Sequence, residues 1–304
     1  MRINGREVGS GHPPFCIAEM SGEHKGSIDR AFALICAAKE AGADAIKAQL
    51  FDPLKLAEAR GGADKVLTQG LWKGRTLGDL YQETHTPKAW FPELFKFAAL
   101  HSITLFSSVF DEEGVDYLET LGCPAYKVSS FSITDLALIR KAASTGKPLI
   151  ISTGMASDAE IGAALELTAV EEPSWMLRKL CDAAILHCVS AYPCPLEQAR
   201  LSRVRQLISH LAPCDGFTVG LSDHTDVRYG SMAAVVATAL GASIIEKHIT
   251  LDRNNGGPDA AFSLEPKEFA ELVQDVKDAY ASLGTGERPK SEDIYRDLRH
   301  GGSS

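Results

Sequence analysis

One rhythm runs along this chain and constrains its fold more than anything else. A short apolar, β-branched run is followed by an Ala- and Leu-rich stretch of helical period, eight times over. The strand segments are FCIAEM (15–20), AIKAQL (45–50), TLFSSV (104–109), AYKVSS (125–130), PLIIST (148–153), AILHCV (184–189), FTVGLSD (217–223) and SIIEKHIT (243–250). Helices are expected over 28–41, 87–100, 112–121, 134–145, 157–170, 202–210, 228–240 and 266–282. Thr86 before Pro87 reads as an N-cap with proline in the first turn. Thr134-Asp135 and Ser157-Asp158 place a hydroxyl and a carboxylate at helix starts, where the helix dipole favours them. Glycines 42, 122, 146 and 241 fall just past helix ends, as a left-handed cap requires.

Eight β-then-α units predict an α/β fold, a (β/α)8 TIM barrel over residues 1–284 as a single domain, with 285–304 as a polar C-terminal tail. The competing arrangement is an open, doubly wound sheet. It calls for a glycine-rich phosphate turn after the first strand, and MSGEHKGS contains no G-x-G-x-x-G. Residues 51–85, after the second strand, break the rhythm. In a barrel this long loop lies at the catalytic end, as a lid or as surface decoration.

A net charge of −9 gives no general attraction to nucleic acid or to anionic lipid, so an anionic ligand must be met by Lys and Arg concentrated in one pocket. No apolar run is long enough to span a bilayer, and the first twenty residues lack the basic-then-apolar order of a secretory signal. Seven scattered cysteines without a Cys-x-x-Cys pair read as free thiols in a reducing cytoplasm, which is the expected location.

The candidate site comes from the strand ends. Glu19, Lys47 with Gln49, Ser107-Ser108, Lys127 with Ser129 and Ser130, Ser152-Thr153, His187, Ser222-Asp223-His224, and Glu246-Lys247-His248 all fall at C-terminal strand ends, one rim of a barrel. Strand period two puts Lys47 and Gln49 on one face, and likewise Ser222 with His224 and Glu246 with His248. Asp223, between Ser222 and His224, is expected on the opposite face as a supporting residue. Two lysines among hydroxyls suit phosphate and carboxylate oxygens. His224 and His248, from adjacent strands, could share one divalent cation; imidazoles with carboxylates or water suit Mn²⁺, Fe²⁺, Co²⁺ or Zn²⁺.

These stretches also resemble a known family. IAEMSGEHKGS, AKEAGADAIKAQ, PAYKVSS, TGKPLIISTGMAS, LHCVSAYPCP, GLSDHT, GASIIEKHITLDR and GGPDAAFSLEP follow one another as in the N-acetylneuraminate (sialic acid) synthase family, which includes the pseudaminic and legionaminic acid synthases. The resemblance implies condensation of phosphoenolpyruvate with a sugar aldehyde, giving a 3-deoxy-2-ulosonic acid and phosphate. It implies His224 and His248 as ligands of a divalent metal, Mn²⁺ first, with Mg²⁺, Co²⁺ or Zn²⁺ as substitutes. It places Lys47, Ser108, Lys127, Ser130, Ser152 and Ser222 on phosphoenolpyruvate, and Gln49, Tyr192 and Asp259 on the sugar hydroxyls. Proton transfer falls to Glu19, Glu23 or Glu246, with Lys127 counted among the catalytic groups; Glu246 could equally orient a ligand histidine.

The departures from the family pattern gather on the acceptor side. In EHKG, Glu23 stands where asparagine is usual and Lys25 where asparagine or glutamate is, Ser132 replaces a glutamate, and Ser190 replaces an asparagine while keeping a substrate-facing position. Glu23 is the candidate to replace the missing carboxylate. The family's C-terminal antifreeze-like domain has no counterpart after residue 284, so a homo-oligomer is expected to form through barrel surfaces, and the acceptor sugar is left open. A ulosonic-acid lyase, or an inactive barrel serving as a binding subunit, are the alternative functions.

Overall fold

The computed structural model describes residues 1–170, 179–180, 182–211, 217–284, 291–292 and 294–295. Most of the tail, with Cys181 and Cys214, therefore lies outside the described residues.

The eight strands are β1 Phe15–Glu19, β2 Ala45–Leu50, β3 Thr104–Val109, β4 Tyr126–Val128, β5 Leu149–Ser152, β6 Ala183–His187, β7 Phe217–Asp223 and β8 Ile244–His248. They pair in parallel in chain order and close into a barrel through β8–β1. The register sets Gln49 level with Ser108, Ser108 with Lys127, Ser222 with Glu246, Glu19 with Lys47 and His248 with Glu19. This register puts the polar strand ends on one rim. Around the strands run α1 Ile28–Glu40, α2 Pro53–Ala59, α3 Leu77–Thr84, α4 Phe91–Leu100, α5 Glu112–Thr120, α6 Leu136–Ser144, α7 Asp158–Glu166, α8 Ser202–Leu211, α9 Met232–Ala239 and α10 Pro266–Leu283.

The TIM barrel expected from the rhythm is thus the fold, with one core of Ile, Leu, Val and Ala between strands and helices. A two-residue ribbon, Arg2–Ile3 with Arg6–Glu7, lies where the strands begin, with Asn4 bonded to Thr104 and the Arg2 amide to Asp182. Among the described residues no helix is long and apolar enough to cross a membrane.

Most capping signals act as expected. Asp135 accepts the Leu138 amide, and Ser157 forms a full capping box with Glu160. Thr86 does not cap a helix. Its amide bonds to the Gln49 carbonyl, its side chain is buried, and α4 begins only at Phe91 with Pro92 in its first turn. The segment after Pro87 is first a short 3-10 turn, Lys88–Trp90, because the chain must climb off the rim of β2 before it can lie along the barrel. The helix expected over 157–170 ends at Glu166, and residues 169–170 pair with 179–180 instead.

Residues 51–85 form a roof at the rim. It consists of α2 and α3 joined by a loop that folds back on itself through a Val66–Thr76 bridge. Trp72 Nε1 donates to the Pro258 carbonyl at 2.9 Å and ties this roof to the segment that follows β8. The lid reading of this segment, not the decorative one, matches its position.

Candidate active site

Under the roof lies a cavity of about 510 Å³. Its floor is a buried charge network at the strand ends. Lys47 Nζ is 2.7 Å from Glu19 and 2.9 Å from Glu246, and Lys127 Nζ is 3.1 Å from Glu246. Ser222 Oγ donates to Glu246 at 2.8 Å. Glu19 also accepts the Ser21 amide at 2.6 Å and Gln49 Nε2 at 3.1 Å. Two ammonium groups thus share two carboxylates, and none of the four reaches solvent.

Burial and partners push these groups apart. Burial raises Glu19, and Lys47 only partly offsets it. Burial would raise Glu246 too, but the charges of Lys127 and Lys47 outweigh it and hold the carboxylate well below its usual range. Lys47 gains more from its carboxylates than it loses by burial and is raised. Lys127 is pushed down to about 8, first by burial and then by the charge of Lys47, with Glu246 offsetting part.

Beside this floor stand two imidazoles with ring centroids 5.6 Å apart. His224 Nδ1 lies 3.1 Å from the Val189 carbonyl, so the proton sits on Nδ1 and the Nε2 lone pair is left free. His248 Nδ1 is buried without a hydrogen-bond partner, 3.6 Å from Asp259 Oδ2. Burial lowers His224 to about 4 and holds His248 well below its usual range, so both rings are neutral. Asp259, which accepts from Ser21 Oγ, is raised by burial to about 7.

The strand-end hydroxyls fall as period two requires, and Ser130 stands in the 3-10 turn Ser130–Ser132 after β4. Ser108, Ser130, Ser152 and Ser222 line the cavity, and Ser152 Oγ has no protein partner. Ser129, beside Ser130, lines the cavity too, whereas Ser107, Thr153 and His187 face outward. Ser107 bonds to the Ala48 and Ser108 carbonyls, while Thr153 and His187 line a separate cavity outside the barrel. His187 is therefore not a rim group; its Nε2 lies 2.8 Å from the Ala199 carbonyl. Asp223 faces away as well, in a buried pair with Lys247 at 2.9 Å. Tyr192 packs on His224 and Phe262 at centroid distances of 4.6 and 5.3 Å, and like Gln49 and Asp259 it lines the cavity.

Two further candidate residues do not line the cavity. Ser190 lies just behind it and bonds to Ser130 Oγ at 2.8 Å, so it positions a lining hydroxyl. Glu23 does not replace the missing carboxylate. It sits in a 3-10 turn, Ser21–His24, and accepts the Gly257 amide at 2.9 Å. Lys25 reaches Asn255 Oδ1 at 2.8 Å. Both EHKG departures therefore fasten the loop after β8, which carries Asp259, and neither lines the cavity. Ser132 Oγ lies 3.4 Å from Nη2 of Arg60, which lines the cavity.

The sequence reading named no roof residue. Arg60, Trp72, Tyr81 and Phe131 all line the cavity. Their only signal was membership of the segment that broke the strand-helix rhythm, or, for Phe131, a place just after a strand end.

A family model described as the NeuB family matches residues 34–288. The chain belongs to the NeuB family. Over 276 residues it is 38% identical to the pseudaminic acid synthase of Helicobacter pylori, covering 90% of this chain and 77% of that protein. It is 32% identical to the N,N'-diacetyllegionaminic acid synthase of Legionella pneumophila, covering 96% and 79%. Among solved structures, the N-acetylneuraminic acid synthetase of Leptospira borgpetersenii, crystallised with citrate, superposes with a TM-score of 0.83. That match has 31% identity over 98% of this chain and 95% of that one. This NeuB-family protein is accordingly an enzyme of the sugar-acid synthase class. Its five described cysteines are free; the one lining the cavity, Cys188, is raised by burial and stays a thiol.

Proposed function

We propose that this NeuB-family enzyme condenses phosphoenolpyruvate with the open-chain aldehyde of an aldose, releasing inorganic phosphate and forming a 3-deoxy-2-ulosonic acid, with a divalent metal bound, Mn²⁺ first. The observation that carries this reading is the juxtaposition on one rim of a Lys47–Lys127 floor with two neutral imidazoles. The first is an anion cradle; the second is a pair of uncharged nitrogen ligands.

The residues fit a metal. The His224 Nε2 lone pair is free and the His248 ring is buried without a hydrogen-bond partner for its Nδ1, as expected of rings reserved for a ligand. Among the described residues no three His, Cys, Asp or Glu side chains form a closed cage, so the chain offers two imidazoles and leaves the other positions to water and substrate. When bound, such an ion acts as a Lewis acid toward the aldehyde.

The chain's own groups do the rest. Lys47, Lys127 and the hydroxyls of Ser108, Ser130, Ser152 and Ser222 hold the phosphate and carboxylate of phosphoenolpyruvate. The enol carbon C3 attacks the aldehyde carbon, and the aldehyde oxygen takes a proton to become a hydroxyl. Water adds at C2, and the hemiketal phosphate collapses by C–O cleavage with loss of phosphate. Glu19, raised by burial, exchanges the protons. Glu246 is too acidic for that work and instead positions Lys47, Lys127 and Ser222. Gln49, Tyr192 and Asp259 face the sugar hydroxyls.

The test is a screen of aldoses with phosphoenolpyruvate and Mn²⁺, read by phosphate release and by mass spectrometry. Turnover is expected to vanish after chelation and to return with Mn²⁺. If no aldose gives phosphate or a three-carbon-extended acid at any metal concentration, the reading fails.

A pH profile tests the floor separately. Lys127 is cationic below about pH 8 and loses its charge above it. The kcat/KM for phosphoenolpyruvate, which reports the free enzyme, is expected to fall up to about tenfold per pH unit beyond that point. A flat profile between about pH 7 and 9.5 would remove Lys127 from phosphate binding.

A further inference from the structure

Charge is not evenly spread over the cavity wall. On the floor, Glu19 and Glu246 match Lys47 and Lys127. The roof is different. Arg60 and Lys65 both line it, and no carboxylate there faces them. Lys65 Nζ is turned onto the Arg60 carbonyl at 2.9 Å.

Arg60 is held as a recognition group would be. It stands at the end of α2, and its guanidinium carbon lies 5.1 Å from the Phe131 ring centroid, 5.8 Å from Tyr81 and 5.9 Å from Phe110. Its head donates to Tyr81 Oη at 3.1 Å and to Ser132 Oγ at 3.4 Å. A guanidinium has five N–H donors, and these contacts use two. Among the described residues it has no acidic partner. Aromatic faces fix the plane of the cation and leave its donor edge to the cavity, which is the geometry that reads a planar or tetrahedral oxyanion.

We infer that the acceptor aldose carries an oxyanion, a phosphate or a carboxylate, at the end remote from its aldehyde, and that Arg60 is the residue that recognises it. This rests on the condensation reading. The aldehyde must lie at the floor beside phosphoenolpyruvate, so the other end of the acceptor faces the roof.

The test uses matched pairs of acceptors with phosphoenolpyruvate and Mn²⁺: an N-acyl-hexosamine against its 6-phosphate, and an aldohexose against its uronic acid. The wild-type enzyme is expected to favour an anionic member by about ten- to a hundredfold in kcat/KM, as one charge-assisted contact supplies. Whichever pair shows the preference identifies phosphate or carboxylate. Arg60→Met, which keeps the packing on the three rings, should abolish the preference and leave the KM for phosphoenolpyruvate unchanged. Arg60→Lys should restore part of it. The proposal is overturned if the neutral members are preferred, if Arg60→Met lowers both members of a pair equally, or if the KM for phosphoenolpyruvate rises instead. If no member of either pair consumes phosphoenolpyruvate but other aldoses do, this inference alone fails; if no aldose does, the condensation reading fails with it.

Discussion

Glu246→Gln is expected to abolish turnover and to destabilise the ligand-free enzyme by about 3–5 kcal/mol. Glu246 is the hub of the floor: it takes Lys47 at 2.9 Å, Lys127 at 3.1 Å and Ser222 at 2.8 Å, all out of water. Glutamine keeps the shape and removes the charge. Lys127 then has no carboxylate within reach, and Lys47 keeps only Glu19. An unpaired buried ammonium either repels its neighbour or gives up its proton, and both outcomes spoil an anion cradle. The loss of turnover should be roughly a thousandfold or more, as for removal of a preorganised electrostatic group. Denaturant titration and phosphate release read the two effects separately. The double variant Lys127→Met, Glu246→Gln should recover much of the stability and none of the turnover, because it removes the stranded charge together with the site. A single variant that unfolds at the wild-type midpoint would show that Glu246 is not the compensating charge.

The second large effect is structural. Gly220→Ala is expected to cost upwards of about 3 kcal/mol, enough to prevent recovery of the folded chain or leave it inactive. Gly220 lies in the middle of β7, and a Cβ there would come within 2.4 Å of the Ile244 carbonyl oxygen, 2.6 Å of Leu186 Cδ2 and 2.8 Å of Ile244 Cβ. Two of these atoms belong to the start of β8, so relief requires β7 and β8 to part. Ser222 and His224 follow on the same strand end, and His248 ends the strand that would be displaced. Activity should therefore fall further than stability. Gly162→Ala is the control: it sits inside α7, nothing lies within 4 Å of its added Cβ, and the change should be neutral or stabilising by about 0.5–1 kcal/mol. Equal stability of the two variants would mean that β7 and β8 are less tightly apposed than described.

What the sequence revealed follows from how local each signal is. Strands are written in short runs of side chains, so all eight could be placed, and period two correctly put Ser222 and His224 on the cavity face and Asp223 on the other. The same rule, applied to His187, points it outward, where it is found; grouping it with the rim overlooked its parity. Thr86 caps nothing because the helix starts only at Phe91, beyond the reach of its buried hydroxyl, while its amide is tied to the distant Gln49 carbonyl. Glu23 was drawn away by the Gly257 amide, a partner far along the chain that no local pattern announces. The roof was least legible for the same reason. Arg60 meets Phe131 and Ser132 only after the barrel has closed, and Trp72 meets Pro258 across its mouth.

That roof has a consequence for how such an enzyme can diversify. The floor is assembled from side chains contributed by strand after strand between Glu19 and His248, so it can change only through many coordinated substitutions. Most of the roof belongs to one uninterrupted peptide, residues 51–85, which begins and ends at the rim beside β2. A single recombination event could exchange that peptide whole. Inheritance of the chemistry and inheritance of the clientele are therefore separable in this barrel.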